Sequence, residues 1–171
     1  MGDFLGLLAG PEVTCLVDVR KVPGSRRNPQ YSQDALAASL AEAAIAYRHA
    51  PALGGFRKPR PDSRNTGWQQ PAFRAYADYM SSPEFAAALA ALEALGAERT
   101  TSIMCAEAQW WRCHRRLISD ALVVRGWTVL HLGLYADPVP HELTAFAVVG
   151  PDGVLSYPPA QGALELGVEE G

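Results

Sequence analysis

The densest run of reactive side chains is Cys105-Ala106-Glu107-Ala108-Gln109-Trp110-Trp111-Arg112-Cys113-His114-Arg115-Arg116. The apolar stretch ending at Cys105 predicts a buried strand, and the apolar spacing from Cys113 to Arg125 predicts a helix closed by Gly126. Cys113 should therefore sit where a helix begins. Helix N-termini attract negative charge and make a thiol more acidic. Arg112, His114 and Arg115 act in the same direction, so Cys113 is a candidate thiolate nucleophile and His114 its candidate partner. Cys105, flanked by Ile103, Met104 and Ala106, is expected at a strand terminus in apolar surroundings, where burial raises a thiol's pKa. Three other readings stay open: an inert buried Cys113, a Cys105–Cys113 redox pair, and a metal site that includes His114. No CxxC or HxxxH spacing supports the last, and no metal is expected. A phosphatase-like Cys-x5-Arg loop fails, because six residues separate Cys105 from Arg112 and the loop has no glycine. Glu107 and Asp18 are candidate acid/base groups.

The elements that must position these groups read as alternating strands and helices. Strands are expected at 13–19, 45–48, 100–105 and 127–132. Helices are expected at 3–9, 32–44, 71–80, 82–95 and 113–125, with Ser82 as N-cap and Gly96 as the stop of the fourth. Two short runs around Gly150-Pro151-Asp152-Gly153 predict a hairpin. The alternation implies an α/β fold: a mainly parallel sheet with helices on both faces and a C-terminal β-hairpin. Ligands of such sheets bind beyond the carboxyl ends of the strands. Four strands end in polar residues: Asp18 and Arg20, then His49 before Gly54 and Gly55, then Cys105 and Glu107, then His131. Their convergence at one sheet edge predicts a site, with Arg20 and Arg115 as bidentate oxyanion ligands.

Apolar residues make up 49% of the 171-residue chain and charged residues 19%, which excludes general disorder and predicts one domain. No apolar run approaches the ~20 residues of a membrane span. Three cysteines, an odd number, fit a reducing cytoplasm better than a disulfide framework. Charge is uneven: residues 20–64 hold nine basic side chains against three acidic ones, whereas residues 137–171 hold six acids and no Lys or Arg. The first block reads as a solvated face or as a patch for phosphate or nucleic acid. Residues 159–171 read as an acidic, flexible tail. Trp68, Trp110 and Trp111 read as partial core or as platforms for a base or sugar ring.

The stretches LVDVRKVPGSRRNPQYS, IAYRHAPALGGFR, NTGWQQPAFRAYADYM and CAEAQWWRCHRRLISDALVVRGWTVLHL resemble the uncharacterised DUF488 family, as does ELTAFAVVGPDGVLSYP near the end. The resemblance spans about residues 3–158. It implies a compact α/β domain of bacterial and archaeal cytosolic proteins and supplies no reaction and no cofactor. To the positions above it adds Ser25, Tyr47, Gly54, Gly55, Asn65 and Tyr76 as ligand-binding candidates, with Arg20, Arg115 and His131. The family usually begins with a strand and a Thr-Ile-Gly-His-Ser-like turn, whereas this chain starts at the helix that follows. An open edge beside the 13–19 strand, and a homodimer through it, are therefore expected. The functional expectation is an enzyme with an Arg-rich pocket for an anionic small molecule of nucleotide or nucleic-acid type. The alternative is a non-catalytic module that docks nucleic acid or protein on the basic loop 20–64.

Overall fold

The computed structural model describes residues 1–24, 26–133 and 136–159. Ser25 and residues 160–171 of the acidic tail lie outside them. Three parallel strands form the central sheet: β1 (Cys15–Asp18), β2 (Ala46–His49) and β3 (Thr101–Met104), in the order β2-β1-β3. Cys15 pairs with Ala46 on one side and Thr101 on the other. Every residue of β1 is buried, as expected of a strand covered on both faces.

The alternation along β1 divides the core. Cys15, Val17 and Val19 join Phe85 and Leu89 of α4 (Pro83–Glu98) and Leu117 and Ile118 of α5 (Arg115–Val124). Leu16 joins the opposite cluster, with Leu8 of α1 (Gly2–Ala9) and Leu36 and Leu40 of α2 (Gln33–Glu42). Leu36 and Leu40 are fully buried four residues apart, each contributing about 1.5–3 kcal/mol of apolar transfer. A further helix, α3 (Pro71–Tyr79), opens on its proline. Helices thus cover both faces of a parallel sheet, the expected α/β class. The expected hairpin forms from β6 (Val148–Val149) and β7 (Leu155–Ser156).

Three expectations need correction. Helix α4 does not stop at Gly96 but runs to Glu98. Gly96 serves packing instead: a Cβ there would come within 3.0 Å of the Trp127 ring. Second, the strand expected at 127–132 is not in the parallel sheet. It appears as β4 (Leu130–Gly133), paired antiparallel with β5 (Ala136–Pro140) and irregular between His131 and Gly133. Two prolines and Asp137 hid β5, since these residues are rare in strands except at edges. Third, β1 has no open edge, because it is central. The unpaired edges belong to the outer strands β2 and β3, and the cleft described below lies between β3 and β4. Among the described residues no helix is long and apolar enough to cross a membrane.

Candidate functional site

From β1 the chain returns to the sheet as β2 on one side and crosses over to β3 on the other. The carboxyl ends of β1 and β3 therefore flank a topological switch point, the place where open α/β sheets hold ligands. A cleft of about 1360 Å³ opens there and continues between β3 and β4. Arg20, Cys105, Glu107, Cys113, His114 and Arg115 line it.

Asp18 closes β1 and is completely buried. Arg20 clasps it, Nε donating to Oδ1 at 2.8 Å and an Nη donating to Oδ2 at 2.5 Å. The Arg20 amide and the Tyr47 hydroxyl donate to the same carboxylate, and another Arg20 Nη donates to the Tyr31 carbonyl. Burial pushes the Asp18 carboxyl up, but the hydrogen bonds from Arg20 and Tyr47 outweigh it and hold it below the ordinary range. Burial and the Asp18 charge push the Tyr47 hydroxyl up. His49 donates to the Arg20 carbonyl at 2.9 Å. Asp18, Arg20, Tyr47 and His49 thus form one lock on the loop leaving β1.

The second wall is the loop after β2. A short 3-10 turn at Pro51–Leu53 leads into Gly54 and Gly55. A Cβ on Gly54 would stand 2.9 Å from the Pro51 carbonyl and 3.0 Å from the Lys21 amide, so only glycine lets the loops from β1 and β2 touch. A Cβ on Gly55 would stand 3.1 Å from Nδ1 of His114. Tyr76, buried on α3, donates its hydroxyl to the Leu53 carbonyl at 2.7 Å and tilts its ring against His114. Arg57 is committed to the Ala52 and Gly54 carbonyls and lies over the Tyr79 ring.

The reactive groups converge between these walls. Cys105 follows β3 directly. Cys113 follows a 3-10 turn at Trp110–Arg112 and immediately precedes the N-cap His114 of α5. Nδ1 of His114 lies 3.5 Å from the Cys113 sulfur and 4.0 Å from the Cys105 sulfur. The neighbouring Cys105 thiol, then the Arg115 amide and charge, favour the Cys113 thiolate; against burial, these bring Cys113 down to about 6. Its partner bears the reverse effect: the Cys113 sulfur and burial push Cys105 up to about 12. The two sulfurs and one His114 nitrogen lie within 4.8 Å of one another, the one group among the described residues with the spacing of metal ligands. Three such ligands with an open position suit a thiophilic ion such as zinc. Arg115 donates to the Glu107 carbonyl, holding the loop between the cysteines. The Nε of Arg115 and Nε2 of His114 are buried and have no partner among the described residues.

Not every expected residue joins the cleft. Asn65 bridges Asp78 of α3, at 2.7 Å, and the amide of Tyr157, at 2.9 Å, and braces the scaffold. His131 lines the cleft from β4, with its ring stacked on Trp110 at 3.5 Å. Behind it stands a polar cluster that residue patterns did not reveal: Asp120, His141, Thr144 and Tyr157. All four are buried. The one visible signal was Asp120, a charge inside the apolar face of α5. Tyr157 donates to Asp120 at 2.9 Å, as do the Thr144 amide and Nε2 of His141.

Among known proteins, no curated protein and no solved structure matches the chain. One family model does: the domain of unknown function DUF488, over residues 1–122, which takes in β1 to β3, both cysteines of the cleft, His114 and most of α5. That match covers well over half of the chain, and the protein belongs to the DUF488 family.

Proposed function

We propose that this protein is a cytoplasmic thiol-dependent enzyme that takes an anionic substrate, of nucleotide or nucleic-acid type, into the cleft beyond β1 and β3. The observation that carries the reading is the placement of Cys113: its sulfur lies 3.5 Å from Nδ1 of His114, within 4.8 Å of the Cys105 sulfur, and just ahead of the first turn of α5. A thiolate so held attacks an electrophilic centre without a separate base. Cys105 keeps its proton and steadies the thiolate. Arg115, with its unpartnered buried Nε, and the exposed Arg112 receive the negative charge of the substrate. Asp18 acts by holding Arg20 and the loop, and Glu107, exposed at the rim two residues after Cys105, is the carboxylate nearest the thiols in sequence. Three free cysteines suit a reducing compartment.

Two alkylating reagents of similar size test this. Iodoacetate carries a charge and iodoacetamide does not. The Cys113 rate ratio of iodoacetate to iodoacetamide should exceed that of a free thiol by about tenfold at low salt, the lower end of electrostatic focusing. Arg115→Gln should remove most of the excess. A ratio equal to that of a cysteine peptide contradicts an anion-selective cleft.

The exposure of Lys21, Arg26, Arg27, Lys58 and Arg64 favours a second reading, a basic face that docks nucleic acid. Fluorescence anisotropy of labelled single-stranded RNA against salt separates the two, because a docking face loses affinity steeply as salt rises.

A further inference from the structure

The cluster behind His131 lies mostly outside the span of the family match. Asp120 accepts three hydrogen bonds, one of them from Nε2 of His141 at 2.9 Å. Its side chain and that of His141 are wholly inaccessible to solvent. With its proton on Nε2, a neutral His141 offers a lone pair at Nδ1. Nε2 of His131 lies 2.8 Å from that nitrogen and must be the donor. This leaves the lone pair of His131 at Nδ1, which has no protein partner among the described residues, on a ring that lines the cleft. One carboxylate thus fixes the tautomers of two imidazoles in series.

We infer that His131 is a proton-transfer residue of the cleft, taking a proton at Nδ1 from a bound water or substrate hydroxyl while Asp120 and His141 act behind it as positioning residues. The step balances without a co-reactant. Nδ1 of His131 gains the proton, and Nε2 of His131 passes its own to Nδ1 of His141. His141 becomes the imidazolium, its charge resting beside the Asp120 carboxylate. The reverse sequence returns the proton to a leaving group. The electrostatics favour a charge that moves inward. Burial, His141 and Arg115 hold His131 near 4, so the ring is neutral at pH 7 and a charge kept on it is disfavoured. The groups around the pair are Trp110, which covers one face of His131 and meets the edge of His141, together with Arg115, Thr144, Tyr157 and Arg116, whose Nε donates to the Thr144 hydroxyl at 3.1 Å. Among the described residues Asp120 is the one acid hydrogen-bonded to the pair. The inference rests on the cleft being the reaction site, but not on either cysteine.

Long-range proton–nitrogen correlation spectra of the full chain, labelled in its histidine rings, read the tautomers directly. The expected spectrum at pH 7 has His131 and His141 both protonated at Nε2 and bare at Nδ1. Diethyl pyrocarbonate, which acylates an unprotonated imidazole nitrogen, should modify His131 ahead of His141. In Asp120→Asn, Nδ1 of His131 should take up its proton at lower pH, because the counter-charge behind it is gone. In Tyr157→Phe uptake should move to higher pH, because the carboxylate loses a donor that competes for its charge. These opposite shifts are more than a packing role produces, and the second variant serves if the first does not fold. A His131 protonated at Nδ1, or a folded protein whose His131 resists the reagent, overturns the inference. Both readouts are unaffected by Cys113→Ser, so failure of the thiol chemistry and failure of the relay are told apart.

Discussion

Asp18→Ala is expected to destabilise the fold by about 3–5 kcal/mol, the usual consequence of removing one partner of a buried ion pair. The Arg20 guanidinium is 7% exposed and its charge is balanced by Asp18 alone among its hydrogen-bond partners, so the variant leaves a cation without a counter-charge. The Tyr47 hydroxyl and the Arg20 amide lose their acceptor as well. That is a large share of the roughly 5–15 kcal/mol by which domains are stable. Exchanging both partners for Leu and Met should cost less than the single change, since no charge is then stranded. The pH dependence follows from the direction of the shift. The folded carboxyl titrates below its unfolded value of ~3.9, so its contribution is complete above that pH. It is lost as pH falls through the folded value. Urea unfolding at pH 7 and at pH 3 should therefore show a wild-type loss that Asp18→Asn lacks. An Asp18→Ala protein as stable as the parent would mean that Arg20 finds solvent in solution.

The second large effect concerns the thiols. Ultraviolet thiolate absorbance should rise in separate steps: one thiolate with a midpoint about 6, from Cys113, and another near 12, from Cys105. Burial raises Cys15 too, so it adds nothing near neutrality. Cys105→Ala should move the Cys113 midpoint up, toward the ~8.5 of a free thiol, because the neighbouring Cys105 thiol is its largest stabilising influence. For this variant the midpoint is the right readout rather than a reaction rate. A less acidic thiol forms less thiolate, but that thiolate is more nucleophilic, and near pH 7 the two effects largely offset. Cys113→Ser should abolish the low step. A low step that survives Cys113→Ser belongs to another cysteine and reverses the assignment.

The parts legible in the sequence were those with local causes. VTCLVDV announced a doubly covered strand by its unbroken apolar run, and β1 has alternate residues in two different cores. Ser82-Pro83 announced a helix start, and the Ser82 hydroxyl does cap it, accepting from the Phe85 amide at 3.1 Å. The polar strand ends were legible because topology alone brings parallel strands to one edge. Long-range causes were not legible. Gly96 looked like a stop because nothing nearby in sequence reveals the Trp127 ring pressed against it. The strand carrying His131 looked like a member of the main sheet because its composition does not name its partner, and β5 is disguised by prolines. Asp120 and His141 are separated by 21 residues and meet only through the fold. Arg20 read as a free oxyanion ligand, because the carboxylate that takes it up is visible only once β1 has turned into its loop.

The central claim is that Cys113 is the ionised thiol of the cleft. Its most direct test is brief treatment of the folded protein with iodoacetamide at pH 7, followed by peptide mass mapping of the three cysteines. The expected result is label on Cys113, with Cys15 and Cys105 unmodified until the chain is denatured. Label on Cys105 ahead of Cys113, or a folded protein in which Cys113 stays unmodified, contradicts it.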